Sequence, residues 1–286
     1  MMNVLGKIIR QPLGALGLLI ILLWINIAVF APLLAPPAEG QDPYMILRHT
    51  FSSLPTPPDE VAKFGTTEGG YDIYYGIIWG SRTALLVGLI TVFFNSVVGI
   101  LVGGISAYYG GVVDNIIMRI VDLFMSIPFL IAVIVMTTVL GKGLDKIIIA
   151  LIIFGWPGYA RIMRSEVLSV KKQEYILAAR SMGASPARIF LFHILPNSIH
   201  PIIVLISLDI GWIALIAAAQ SFMGIGSEPG FADWGQMLNF ARSWISGMPG
   251  KPFYYWYTYT YPSIAIFTFA LGWTLLGDTL RDVFDT

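Results

Sequence analysis

Three ionisable side chains stand inside otherwise apolar stretches: Arg119, Asp122 and Asp209. A charge at membrane depth is costly and persists where it pairs, meets water or contacts another subunit, so each is a candidate functional residue. Arg119 and Asp122 are close enough in sequence to share one helical face. That spacing predicts either a structural pair near the cytoplasmic end of their segment or a role along a solute path. Asp209 has no cation within one helical turn. It is expected to face a water-filled path or a residue of a partner subunit.

Other chemistries find no support. No phosphate-binding loop is present, because Gly141-Lys142-Gly143 lacks both the upstream glycine and the hydroxyl residue that cradle a nucleotide. No nucleophile elbow, Ser/His/Asp set or paired catalytic carboxylates stand out, so no catalytic residue is assigned and the chain does not read as an enzyme. The histidines His49, His193 and His200 have no metal-ligand spacing, and cysteine is absent. No metal site is expected, and no cofactor is assigned to this chain. Zero net charge argues against nucleic acid as a partner.

The most informative polar stretch runs from Glu174-Tyr175-Ile176-Leu177-Ala178-Ala179-Arg180-Ser181-Met182-Gly183 through Ser185-Pro186 to His193-Ile194-Leu195-Pro196-Asn197. Residues 174–182 are helix formers, and Gly183 stands where a left-handed C-terminal cap is needed. Ser185 offers an N-cap oxygen, and Pro186 fits the first position of a new helix. Pro196 and Pro201 disfavour helical geometry just before them and mark the passage into the next apolar run. The result is helix, sharp turn, helix. Ala178 and Ala179 leave the first helix slender while Arg180 and Arg188 place charge near the turn. Such a surface suits insertion into a partner's cleft; the alternative is an ordinary helical loop.

The elements that must carry these residues follow from hydropathy. With 56% hydrophobic and only 12% charged residues, the chain cannot cover itself with polar surface, since soluble domains carry about 25% charged residues. Apolar runs long enough to cross a bilayer lie at residues 13–35, 83–108, 116–140, 147–162, 201–223 and 261–277. The first is too long for a signal peptide and lacks a cleavage site. The fold class is therefore an all-α integral membrane protein of six spans. Residues 163–200 hold Arg161's neighbours Arg164, Lys171, Lys172, Arg180 and Arg188, which places this loop between spans four and five in the cytoplasm. Lys7 and Arg10 place the N-terminus on the same side, and six spans return the C-terminus there too.

Residues 36–82 and 224–260 form the external connections, where Trp244, Tyr254, Tyr255, Trp256, Tyr257 and Tyr259 read as an interfacial aromatic belt or a docking surface. Within the second span, Gly99, Gly103 and Ala107 line one face and predict close helix packing.

The stretch at 174–197 resembles the EAA loop of bacterial ATP-binding-cassette (ABC) importer permeases: Ala178, Ala179, Gly183, Leu195 and Pro196 fall at the family's spacings. Leu177 and His193 replace the pattern's Glu and Ile, so those two roles are not carried over. Glu174 and the ending His193-Ile194-Leu195-Pro196-Asn197 are similar to the peptide and nickel branch. Further blocks resemble that branch: Phe30-Ala31-Pro32 with Asp42-Pro43; Gly65-Thr66, Asp72, Gly80 and Arg82; Tyr109-Gly110-Gly111 with Asp114, Met118-Arg119, Asp122 and Pro128; and Ser221-Phe222-Met223-Gly224-Ile225-Gly226 followed by Trp234-Gly235-Gln236-Met237-Leu238.

The resemblance implies a permease of a prokaryotic plasma membrane that pairs with a second, homologous permease. Two cytoplasmic ATPase subunits carrying ATP and Mg would drive the pair, and an external binding protein would deliver an oligopeptide, nickel complex or similar solute. It also implies that Glu174, Ala178, Ala179, Arg180 and Gly183 form the ATPase-coupling surface. The alternatives from other classes are an ion-coupled secondary transporter, which calls for broken helices and a midplane ion site, and a membrane enzyme or scaffold, which needs a polar catalytic cluster or a large soluble appendage.

Overall fold

The computed structural model describes residues 2–285. It is helical throughout its membrane region: α1 (Met2–Arg10), α2 (Pro12–Val29), α3 (Ala31–Leu34), α4 (Ile73–Tyr109), α5 (Gly111–Ser126), α6 (Phe129–Leu140), α7 (Leu144–Val170), α8 (Glu174–Ser181), α9 (Pro186–Ile189), α10 (Leu195–Ser198), α11 (His200–Phe222), α12 (Trp234–Ala241) and α13 (Trp256–Asp285). Five helices, α2, α4, α7, α11 and α13, are each long and apolar enough to cross a bilayer. The consecutive pair α5 and α6 makes a sixth crossing only if taken together, because the two meet at a bend of 82°.

That bend is the main departure from the sequence expectation of one continuous span at 116–140. Pro128 has no N–H to donate and cannot extend α5, so the helix ends at Ser126 and restarts at Phe129. Other boundaries shift outward. α4 begins at Ile73, so Arg82 lies within a helix rather than in the external connection. Asp72 starts it by accepting the Tyr75 N–H at 2.8 Å. α7 runs on to Val170 and α13 starts at Trp256, each beyond its apolar segment.

α4 packs most extensively on α7, while α13 packs on α11 and α2. At the α4–α7 seam, Gly99 rests against Tyr159 and Ala160, and Gly103 rests against the backbone of Ala160. A Cβ on Gly103 would overlap the Ala160 carbonyl oxygen, so the small face read from the sequence is what lets these two backbones touch.

At the N-terminal end of α4, residues 35–72 and 226–260 fold together into a cap. Bridges join Met45 to Phe231 and Arg48 to Tyr71, and Trp79 and Trp234 donate their indole N–H groups to Ala35 O (2.8 Å) and Ile77 O (3.1 Å). His49 Nε2 lies 2.8 Å from Asp72 Oδ2. The cap corrects the aromatic expectation: Tyr255 and Tyr257 are buried inside it, while Tyr254 and Trp256 are exposed.

The seam makes a prediction. Replacing glycine by alanine in a helix is favourable by about 1 kcal/mol when space allows. A Cβ at Gly158 meets no heavy atom within 4 Å, so Gly158→Ala should leave thermal stability in detergent unchanged or slightly raised. Gly103→Ala should instead lose about 2 kcal/mol through overpacking. Equal midpoints for the two variants would show that the seam is not tight.

Candidate functional site

The surface that carries the sequence-predicted loop is built on the end of α7. Lys171, which follows its last turn, donates to Tyr108 O at 2.6 Å and Ala107 O at 3.2 Å. It thereby caps the carbonyl end of α4 with a cation. Burial lowers the Lys171 ammonium below the usual lysine value, with Arg180 adding to that effect and Asp114 opposing it.

From this anchor the chain turns into α8, whose Ile176 and Ala179 are buried against the bundle. Glu174, Ala178, Arg180 and Gly183 are exposed. Of the two alanines singled out by sequence, only Ala178 faces outward. Tyr175, Leu177 and Met182 are also exposed, at 45%, 53% and 81%. Tyr175, Ala178 and Met182 recur at helical spacing and present an apolar stripe that sequence reasoning passed over.

The turn is as the residues predict. Gly183 has φ 80°, in the left-handed region. Ala184 N donates to Ala179 O at 3.1 Å across it. Ser185 Oγ accepts from the Arg188 N–H and Pro186 opens α9. The later prolines behave differently from expectation. The residues before Pro196 stay helical, because a π-turn at Phe190–Ile194 widens the helix and Leu195 N bonds Phe190 O. The missing proline N–H falls where the ladder has already shifted register.

Beside this surface, Asp114 joins three elements. Its carboxylate is held bidentately by Arg164 at 2.6 Å for both contacts and also accepts from Ser106. This ties α4, α5 and α7 together. The anticipated Arg119–Asp122 pair does not form: Asp122 Oδ1 lies 2.6 Å from Arg161 Nη2 instead. Helical spacing made Arg119 a neighbour, but α5 packs on α7 and sets Asp122 against Arg161.

Asp209, in α11, lines a cavity of about 310 Å³ at the α5–α6 break. Asn95 of α4, Gly155 and Gly158 of α7, and Pro128 share its wall. Asn95 is 1% exposed. Its amide reaches Leu151 O at 3.5 Å, and its Oδ1 has no partner. The buried Tyr159 hydroxyl faces the Asp209 carboxylate but closes no hydrogen bond of full geometry.

In the cap, Asp233 starts α12 by accepting from Gly235 N and Ser227 Oγ, both at 2.9 Å. Gln236 Oε1 accepts from Gly230 N at 2.9 Å. Burial raises the Asp233 carboxyl above the usual carboxylate range, against the hydrogen bonds it receives. The second sequence block at 221–238 thus forms a hydrogen-bonded turn between α11 and α12.

Residues 95–286 match the family model described as "Binding-protein-dependent transport system inner membrane component". The chain belongs to this family. It is 33% identical over 276 residues to the dipeptide transport system permease protein DppC of Bacillus subtilis (strain 168), covering 96% of this chain and 82% of the relative. It is 36% identical to the glutathione transport system permease protein GsiD of Pectobacterium atrosepticum, covering 98% and 88%. In fold it is similar to the inward-facing MetNI methionine ABC transporter, with TM-score 0.56 and 21% identity over 73% of this chain and 96% of that one. The chain is therefore a multi-pass inner-membrane permease of the peptide and nickel branch of ABC transporters. The family match begins at Asn95, within α4. The first span and the 35–72 part of the cap lie outside it.

The Asp114 cluster yields a stability test. The Asp114 side chain is 13% exposed, so Arg164→Leu strands a mostly buried carboxylate at a cost on the order of 3 kcal/mol. Adding Asp114→Asn should recover much of the loss in thermal unfolding of the purified permease. A double variant no more stable than Arg164→Leu would mean the pair carries little.

Proposed function

We propose that this permease forms one half of a transmembrane pair with a homologous permease and moves dipeptide- or glutathione-class solutes inward by alternating access. ATP and Mg act on two separate cytoplasmic ATPase subunits, and an external binding protein supplies the solute. The names of the relatives support the solute class. The observation that carries the coupling role is the exposed face of α8, with Glu174, Ala178 and Arg180 beside Tyr175 and Met182, held on a buried base and ended by Gly183. A short helix with an apolar stripe and flanking charges fits a partner's groove. The reading includes six crossings, with α5 and α6 forming one of them, and both termini in the cytoplasm.

Topology is directly testable because the chain contains no cysteine. Lys172→Cys should react with an impermeant maleimide only after the cytoplasmic face is opened, and Glu60→Cys should react in intact cells. Labelling of Lys172→Cys in intact cells would overturn the orientation.

Coupling is testable at Gly183. A Cβ there meets no heavy atom within 4 Å, so substitution acts through the backbone alone. Gly183→Val should cost on the order of 1–3 kcal/mol in the turn, whereas asparagine tolerates the left-handed region. In proteoliposomes, Gly183→Val should insert normally yet lose most uptake and the ATPase response to loaded binding protein. Gly183→Asn should retain both. Wild-type uptake and stimulation in the valine variant would remove Gly183 from the coupling site.

A further inference from the structure

The cavity at the α5–α6 break combines polar acceptors with aromatic rings, and the Tyr159 hydroxyl faces Asp209 from one side. Asp209 supplies a carboxylate, and Asn95 supplies a buried, unpartnered Oδ1. The Asn95 amide packs against Gly155 in the cavity wall, its nitrogen reaches Leu151 O, and its oxygen accepts no hydrogen bond. α5 ends and α6 begins at this wall, so the helix termini there oppose one another and leave the charge of the site to its side chains. Trp212, Phe124 and Phe154 add aromatic surface. Acceptors, negative charge and aromatic faces together favour a cation.

We propose that this cavity is a subsite for an organic ammonium group, held by Asp209 and Asn95, on the path of the solute. A bare metal ion fits less well. Among the described residues no group of three or more His, Cys, Asp or Glu could hold one, and about 310 Å³ is the scale of a small-molecule site. The cavity opens toward Met125 and Trp212, which are 45% and 55% exposed. The exposed Asp122–Arg161 pair lies one helical turn from Met125 and Gly158 and is neutral overall. The free amino terminus of a peptide supplies the matching group. The inference rests on the import reading for the identity of the solute, and on the cavity alone for its charge preference.

The absence of native cysteine allows a direct test. Met125→Cys, in the complete importer with its partner subunits, is treated with the cationic aminoethyl and the anionic sulfonatoethyl methanethiosulfonate, and modification of this chain is followed by mass. After correction for reaction with a free thiol, the cationic reagent should react roughly tenfold faster, as one nearby carboxylate in a partly screened site requires. Asp209→Asn should bring the ratio close to one, and Asp209→Glu should keep it. Alanylalanine should slow the modification, and N-acetyl-alanylalanine should not. A ratio near one in the Met125→Cys background, a ratio unmoved by Asp209→Asn, or equal protection by both peptides overturns the proposal. ATP-driven uptake of alanylalanine by proteoliposomes of the unmutated complex is measured in parallel; its absence would strike the import reading, while the charge ratio would still decide the site.

Discussion

The contact on which the other features hang is the close approach of α4 and α7 at Gly99, Gly103 and Ala160. In a bilayer the hydrophobic effect does not draw two helices together, because lipid is as apolar as the side chains. Association must come from van der Waals contact, and that requires backbones that can touch. Once α4 lies on α7, three polar features come within reach. Lys171 at the foot of α7 meets the last carbonyls of α4. Arg164 of α7 meets Asp114 just beyond the end of α4. Asn95 meets the wall formed by Leu151 and Gly155. Each of these would be an orphaned polar group if the seam were wider by the size of one side chain.

The two membrane faces satisfy their polar groups by different means. The cap pairs backbone with backbone, sets His49 against Asp72, and uses indole N–H groups as donors across elements, as with Trp79 and Trp234. These aromatics combine a large apolar body with one polar handle, which suits a surface between lipid and water. At the other end of α4 the partners are charged: lysine on helix carbonyls and arginine forked onto a carboxylate. Fork geometry fixes orientation as well as distance, so the base of α8 is held with more angular precision than a lysine contact alone would give.

Local signals in the sequence were legible and long-range ones were not. Gly183, Ser185 and Pro186 announced their turn because cap geometry depends on neighbours in the chain. Gly99 and Gly103 announced a packing face because small residues four apart share one side of a helix. The partner of Asp122 lies 39 residues away, and no spacing rule could choose Arg161 over Arg119. Pro128 was visible, yet a proline can kink a helix or end it, and the 82° bend reflects where α6 finds its packing against α7. The burial of Tyr255 and Tyr257 depends on the cap folding over them, so an aromatic run alone read as a surface belt. The cavity at Asp209 needed five helices in place before its wall existed.

The order of the chain gives the proposed coupling surface a mechanical position. α8 lies in the only connection between α7 and α11, and those two helices supply Gly155, Gly158, Asp209 and Trp212 to the cavity wall. A push on α8 is therefore delivered first to the helices that shape the cavity. The two ends of the connection differ in stiffness. On the α7 side, Lys171 and the Arg164–Asp114 fork bind the loop to α4 and α5. On the α11 side, the π-turn at Phe190–Ile194 and the short α10 make an irregular segment with prolines that remove ladder hydrogen bonds. In the proposed complex, motion of the ATPase would thus be held in register with α7 and taken up along 190–199. α11 would then move relative to α7, and Asp209 would move relative to Asn95. A cation held between them would lose one of its two anchors as the path changes face, which is the differential affinity that a transport step requires of its site.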